Sequence, residues 1–406
     1  MNEKLGYRKT SNVIEYILII TLFYVTGGAF SYTNYSMQIT VFFLAALAIC
    51  NIMGKQCYTL RRSAFVVWLV MSLFVIFVPL MFNDSLPTYI AIIMQLGIGL
   101  FCASIIEPED FKKKYIDIIV LFAGISLVGF GIGIIYPQIA FFFPETIGDA
   151  SVDYYNAGVY VFMKAKGYSD LVLTSRNAGI CWEPGCYQMF LNVALLFILD
   201  AESVERGRKY YFSLLILIIT IITTMSTTGL ILMLIILVCY WKKWFPDKYV
   251  WFLLIPILSV CVIIFTGMVD LHGFILSKIS QEFGENLGFL ERLSLPAIKY
   301  IISDNGIFYF LGMSFSKWLT YDVSLWNSVI HSILCLGIPF TAIHLRGYWM
   351  GSHLVVNRGL LLFIVMLCCA STETLFWRVF FNTIAFYGWI GERDGLKFNK
   401  IGEGVI

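Results

Sequence analysis

The stretch SRNAGICWEPGCYQMFLN, from Ser175 to Asn192, puts an arginine, a tryptophan, a carboxylate and a Pro-Gly turn side by side in an otherwise apolar chain. Polar residues concentrated in a loop at the entrance to an apolar helix are the usual dress of a functional site. Arg176 has a planar guanidinium suited to bidentate capture of phosphate oxygens, and Arg292, far along the chain, has another. Together they could clamp a pyrophosphate, or each could pair with a nearby carboxylate. Glu183, just before Pro184, is placed either to cap a helix N-terminus or to take a proton from a hydroxyl. His331 is a second candidate base, with an ordinary pKa near neutrality. Trp182 could stack on a sugar ring or belong to an interfacial aromatic belt. Glu373 and Arg378, in STETLFWRVFFN, either pair with each other or line the same cavity. Ionisable groups so close to apolar segments are functional candidates by default.

The elements that must position these groups are membrane helices. The chain is 59% hydrophobic and 13% charged, far more apolar than a soluble domain. Apolar runs of membrane-spanning length recur from end to end, so residues 1–406 read as a single integral membrane domain, an all-α polytopic fold of about twelve helices. The expected spans are 13–32, 37–53, 64–82, 88–106, 115–136, 185–199, 210–225, 227–241, 249–268, 327–345, 359–371 and 374–390. Two long loops stand out, 137–184 and 270–326. Most of the 28 Lys and Arg fall in the other set of loops, together with both termini. The positive-inside rule then puts the termini in the cytoplasm and the long loops, with the six residues Arg176, Glu183, Arg292, His331, Glu373 and Arg378, on the opposite side. The first apolar run reads as a signal anchor rather than a cleaved leader.

Other features carry less. In the first loop, Asp149, Asp153, Tyr154 and Tyr155 suit hydroxyl-rich ligands or a wet interface equally. In the second, RLSLPAIKYIIS from Arg292 has an apolar face suited to a surface helix. Gly129 and Gly133, four apart, suit close helix packing better than phosphate binding. The tip Met225–Gly229 is either a simple turn or the floor of a site. Cys181 and Cys186 flank the Trp-Glu-Pro-Gly turn, the one place where a disulfide is conceivable. The four histidines show no metal-ligand spacing, and no metal or cofactor is expected.

On Arg176 followed by GICWEPGCYQMFLN, on Arg292 followed by Gly312 and NSVIHSILCLGIP, and on the twelve-helix layout with two long loops, the chain resembles the Wzy-type O-antigen and capsular polysaccharide polymerases of the GT-C-like superfamily, and more distantly the O-antigen ligases. The resemblance implies a glycosyltransferase of the bacterial cytoplasmic (inner) membrane that joins oligosaccharide repeat units carried on undecaprenyl pyrophosphate into lipopolysaccharide O-antigen or capsule. It implies no nucleotide sugar and no nucleic acid. Membrane lipid is a partner by necessity, and whether a chain-length regulator protein joins it stays open. Arg176 and Arg292 would hold the pyrophosphate. Where relatives have a His-Asn pair this chain has Trp326 and Asn327, which leaves Glu183 and His331 as rival bases. Where relatives have an arginine at the seventh-to-eighth helix tip this chain has Thr227, a phosphate contact that Arg378 could replace. A ligase that transfers finished glycan, and a lipid-linked oligosaccharide flippase or transporter, are the alternatives.

Overall fold

The computed structural model describes residues 12–28, 61–146, 152–165, 173, 176–201, 208–244, 308–320 and 327–391. Arg292, the expected spans 37–53 and 249–268, Asp149 and the RLSLPAIKYIIS segment lie outside them.

The described residues are mostly helical. In chain order the helices are α1 (Asn12–Thr26), α2 (Arg62–Phe82), α3 (Leu86–Ile105), α4 (Pro108–Ile135), α5 (Pro184–Asp200), α6 (Arg208–Thr223), α7 (Thr227–Trp244), the short α8 (Phe308–Leu311) and α9 (Phe315–Leu319), α10 (Ser328–Leu336), α11 (Ile338–Val355), α12 (Gly359–Thr372) and α13 (Val379–Gly391). Helices α2, α3 and α4 are long and apolar enough to cross a membrane, and α1, α5, α7, α12 and α13 are shorter apolar helices. Leu73 and Leu80 on α2, Leu121 and Val128 on α4 and Val238 on α7 are largely exposed, which suits contact with lipid. The protein is thus compatible with a helical membrane protein.

Two helices are covered on every side. All of α13 is buried, and so is all of α5 except Gly185. A helix apolar around its whole circumference belongs in a core. Around α5 stand α4, α6, α7 and α12, while α13 is held by α11, α3, α1 and α2. The α11–α13 contact is close because Gly347 and Gly351 face Gly388 across it. Small residues four apart let two backbones approach in the absence of a hydrophobic driving force.

Three expectations change. The long loop is not purely irregular: Pro137–Phe142 forms a 3-10 turn, and β1 (Glu145–Thr146), β2 (Val152–Asn156) and β3 (Val161–Ala165) form an antiparallel sheet in the order β1-β2-β3, with Tyr154 opposite Met163 and Tyr155 opposite Phe162. The fold is therefore not entirely α. Gly129 and Gly133 serve this sheet rather than a neighbouring helix, the first against the Tyr160 ring and the second against Phe162 and Leu173.

The span expected over 327–345 is two helices. The chain breaks at Gly337, whose φ of 91° favours glycine, and α11 then runs on to Val355. The reason is a crossing. A Cβ on Gly337 would meet the Leu311 carbonyl, and one on Gly312 (φ 98°) would meet that of Cys335. Met313 N–H donates to Leu334 O at 2.8 Å across the same junction. Lastly, the final helix begins at Val379 rather than at 374, so Glu373 and Arg378 lie in the turn before it.

At the far end of α5, buried Asp200 accepts from Tyr240 Oη on α7 at 2.9 Å and from the Asn357 backbone N–H at 3.2 Å, with Lys112 Nζ 3.7 Å away. Lys114 and Glu15 pair nearby at 2.6 Å, joining α4 to α1.

A Cβ on Gly351 would collide with Ile384 O, whereas one on Gly131 would meet nothing within 4 Å. Gly351→Ala is expected to push α11 from α13 and cost about 1–3 kcal/mol. Gly131→Ala should be neutral or stabilising by up to about 1 kcal/mol. Thermal unfolding of the purified protein in detergent checks both.

Candidate functional site

The site lies at the end of the bundle where both buried helices begin. The chain enters α5 through Glu183, whose extended backbone (φ −153°, ψ 156°) precedes Pro184 in the first turn, where a missing N–H costs nothing. Since this segment runs among helices, its backbone groups need partners inside the protein. Asn177 N–H donates to Thr223 O at 2.9 Å, and Trp182 N–H to Gly27 O at 3.3 Å. The Asn177 side chain donates to Ser126 Oγ (3.2 Å) and Thr223 Oγ1 (3.1 Å) and accepts from Gly179 N–H (3.0 Å). Tyr187 Oη meets Ser126 Oγ at 3.1 Å from the helix side. The entrance to α13 is fixed at the same place, with Phe380 N–H donating to Thr26 Oγ1 at 3.0 Å. The last residues of α1 therefore join the starts of α5 and α13.

Four of the expected ionisable residues meet here. Arg176 Nε donates to Thr224 O at 3.2 Å, which makes the α6–α7 tip part of the site's frame. Burial lowers the Arg176 pKa, opposed by the charges of Glu183 and Glu373. Glu183 makes no capping bond to the helix; its Oε1 accepts instead from Trp182 Nε1 at 3.2 Å. Glu373 is only 7% exposed, and its Oε1 occupies the place a Cβ on Gly185 would take, with Glu183 Cδ 3.9 Å from the same point. The Glu373 carboxyl is held well above the usual carboxylate range, first by burial, then by its hydrogen bond to Glu183 and that group's charge, with Arg176 opposing. Arg378, one residue before α13, lies with Cζ 5.9 Å from the centre of the Trp182 ring. Trp182 is 3% exposed, so it is a platform for Arg378 rather than an open face for a sugar. Cys181 and Cys186 are both buried free thiols, and no disulfide joins them.

His331 packs in a ring cluster that includes Trp377, the residue before Arg378. Its ring sits among Phe315, Trp318 and Trp377, with centroids 5.5, 5.3 and 5.5 Å away. Both ring nitrogens are buried with no hydrogen-bond partner among the described residues. That is an aromatic box, poor surroundings for a base that must become charged. Asn327 caps α10, its Oδ1 accepting from Val329 and Ile330 N–H at 3.1 Å each.

Sequence reasoning missed the box's anchor, Asp84, between α2 and α3. It accepts from Tyr89 Oη (2.7 Å), from Ser316 N–H (3.1 Å) and from the Ser316 hydroxyl. Its only sequence signal was an acidic residue beside a turn.

Compared with known proteins, the chain matches no family model and no curated protein.

Burial pushes the Asp84 carboxyl up, but the hydrogen bonds from Ser316, Tyr89 and Ser85 outweigh it and leave the pKa below its ordinary value. The ionised form is thus favoured by folding. Its contribution is complete above the unfolded value, about 3.9, and is lost as pH falls through the lower folded value. Acidification below about pH 4 should release residues 315–319 from the α2–α3 turn, and Asp84→Asn should loosen them already at neutral pH. Hydrogen exchange in that segment measures this; equal protection in the variant would refute it.

Proposed function

We propose that this chain is a membrane glycosyltransferase, a polymerase that joins polyprenyl-pyrophosphate-linked oligosaccharide repeat units on the outer face of the bacterial cytoplasmic membrane. The observation that carries the reading is the meeting of Arg176 and Arg378 with Glu183 and Glu373 where two buried helices begin. In this reading the chain has about twelve spans with both termini cytoplasmic, and the site opens outward between the two long loops.

The chemistry follows from the groups present. Cleaving a sugar–pyrophosphate bond builds negative charge on the leaving oxygens, and guanidinium groups already fixed in place stabilise it without reorganisation. Arg176 is fixed by Thr224, and Arg378 by Trp182. The N-terminal ends of α5 and α13 add their partial positive charge. Arg292 is the further clamp residue that the family resemblance suggests. Glu183, partly exposed, takes the proton of the acceptor hydroxyl, whose oxygen attacks the anomeric carbon as the carbon–oxygen bond to pyrophosphate breaks, with inversion. Glu183 is preferred to His331 because it shares the site with the arginines.

The test is the size distribution of lipid-linked and surface glycan in a host lacking this protein, with wild type, Arg176→Ala or Arg378→Ala restored. Wild type should restore a ladder of chain lengths. Each variant should reduce polymer about tenfold to a hundredfold, the effect of losing one charged hydrogen bond in the transition state, while inserting normally in the membrane. Unchanged chain length in both variants would refute the arginine clamp. Polymer that forms without the protein but stays on its carrier would make it a ligase, and single repeats trapped on the cytoplasmic face would make it a flippase.

A further inference from the structure

Glu373 has no obvious place in a simple clamp. It is a nearly inaccessible carboxyl at the end of α12, packed on Gly185, with the Glu183 carboxyl carbon 3.9 Å from the same Cβ position. Carboxyls in contact at a buried site do not both ionise readily, because each charge raises the cost of the other. A proton held between them removes that cost.

We infer that Glu373 is a positioning residue: it stays neutral, donates its O–H to the Glu183 carboxylate, and thereby fixes that carboxylate as the base for the acceptor hydroxyl. The inference rests on the glycosyltransferase reading for the role of Glu183, but not for the proton between the two groups. Burial selects Glu373 as the neutral partner, since Glu183 is partly exposed and Glu373 is not. The other groups facing Glu373 are Arg176 from the preceding loop, Cys186 on α5 and Cys369 on α12, with Arg378 acting on Cys186 from the last turn. Arg176, the cation that favours ionisation of Glu373, also serves Glu183 and is in part held by Thr224. Gly185 is part of the arrangement, since any side chain there would occupy the position of Glu373 Oε1.

In the transfer itself the acceptor O–H proton passes to Glu183, the acceptor oxygen bonds to the anomeric carbon, and the electron pair of the broken bond leaves on the pyrophosphate. The Glu373 proton is not consumed. Its work is orientation, so a neutral donor of the same shape should replace it.

The experiment combines infrared spectroscopy of the purified full-length protein in lipid with the glycan ladder of the complemented host. A protonated-carboxyl stretch should be present at neutral pH in wild type, absent in Glu373→Gln and shifted in Glu183→Gln. The ladder should persist with Glu373→Gln, whose amide N–H still donates, and fall about tenfold or more with Glu373→Ala at equal membrane abundance. No band attributable to Glu373 would overturn the shared proton, whatever the glycan shows. A full ladder with Glu373→Ala, or one lost equally with Glu373→Gln, would overturn the positioning role. If the band is present but wild type builds no polymer, the glycosyltransferase reading fails and the proton-sharing pair stands as a feature of the fold.

Discussion

Two helices of this protein begin inside it, and nearly everything at the site follows from that. A helix start carries N–H groups that the helix cannot satisfy itself, and buried non-helical backbone survives only when other parts of the protein supply its partners. Here the supply comes from the end of α1, where Gly27 O takes the Trp182 N–H and Thr26 Oγ1 takes that of Phe380. Ser126 within α4 and Thr223 at the end of α6 complete it. Loss of these partners would leave donors stranded, so the loop has little freedom to adopt another path.

The same enclosure sets the electrostatics. Buried charge is tolerated only when paired and hydrogen-bonded. The arginines meet this requirement: Arg176 is balanced by Glu183 and held by Thr224 O, and Arg378 rests on an aromatic face. An anionic ligand entering such a place meets cations already held in position, and the reorganisation has been done by the fold.

Much of this was legible in the sequence. Helices α2, α3, α5, α6 and α7 fall within a few residues of the apolar runs, because run length and composition are what make a helix of that size, whereas α4 starts well before its run, at Pro108, and takes in the charged stretch Glu109–Lys114. Arg176, Glu183, Trp182, Glu373 and Arg378 stood out as polar groups in apolar text, and they converge. What the sequence hid depends on crossings between distant segments. The break at Gly337 exists because the chain near Leu311 passes against it. The burial of His331 depends on Phe315 and Trp377, which no local pattern links to it. The sheet of the first loop escaped because its strands are five residues or shorter and its pairing is set by contact with α4. Arg292 lies outside the described residues.

The ties at the Asp200 end bear on motion. Asp200 binds to α7 and to the turn before α12, with Lys112 of α4 alongside, while the opposite end of α5 is bonded to Gly27. A rod fastened at both ends and walled on all sides can neither slide like a piston nor turn about its axis without breaking several polar contacts at once. Helix α5 is therefore tied in place at both ends among the described residues. Any motion that exposes the arginines has to come from displacement of what surrounds this post.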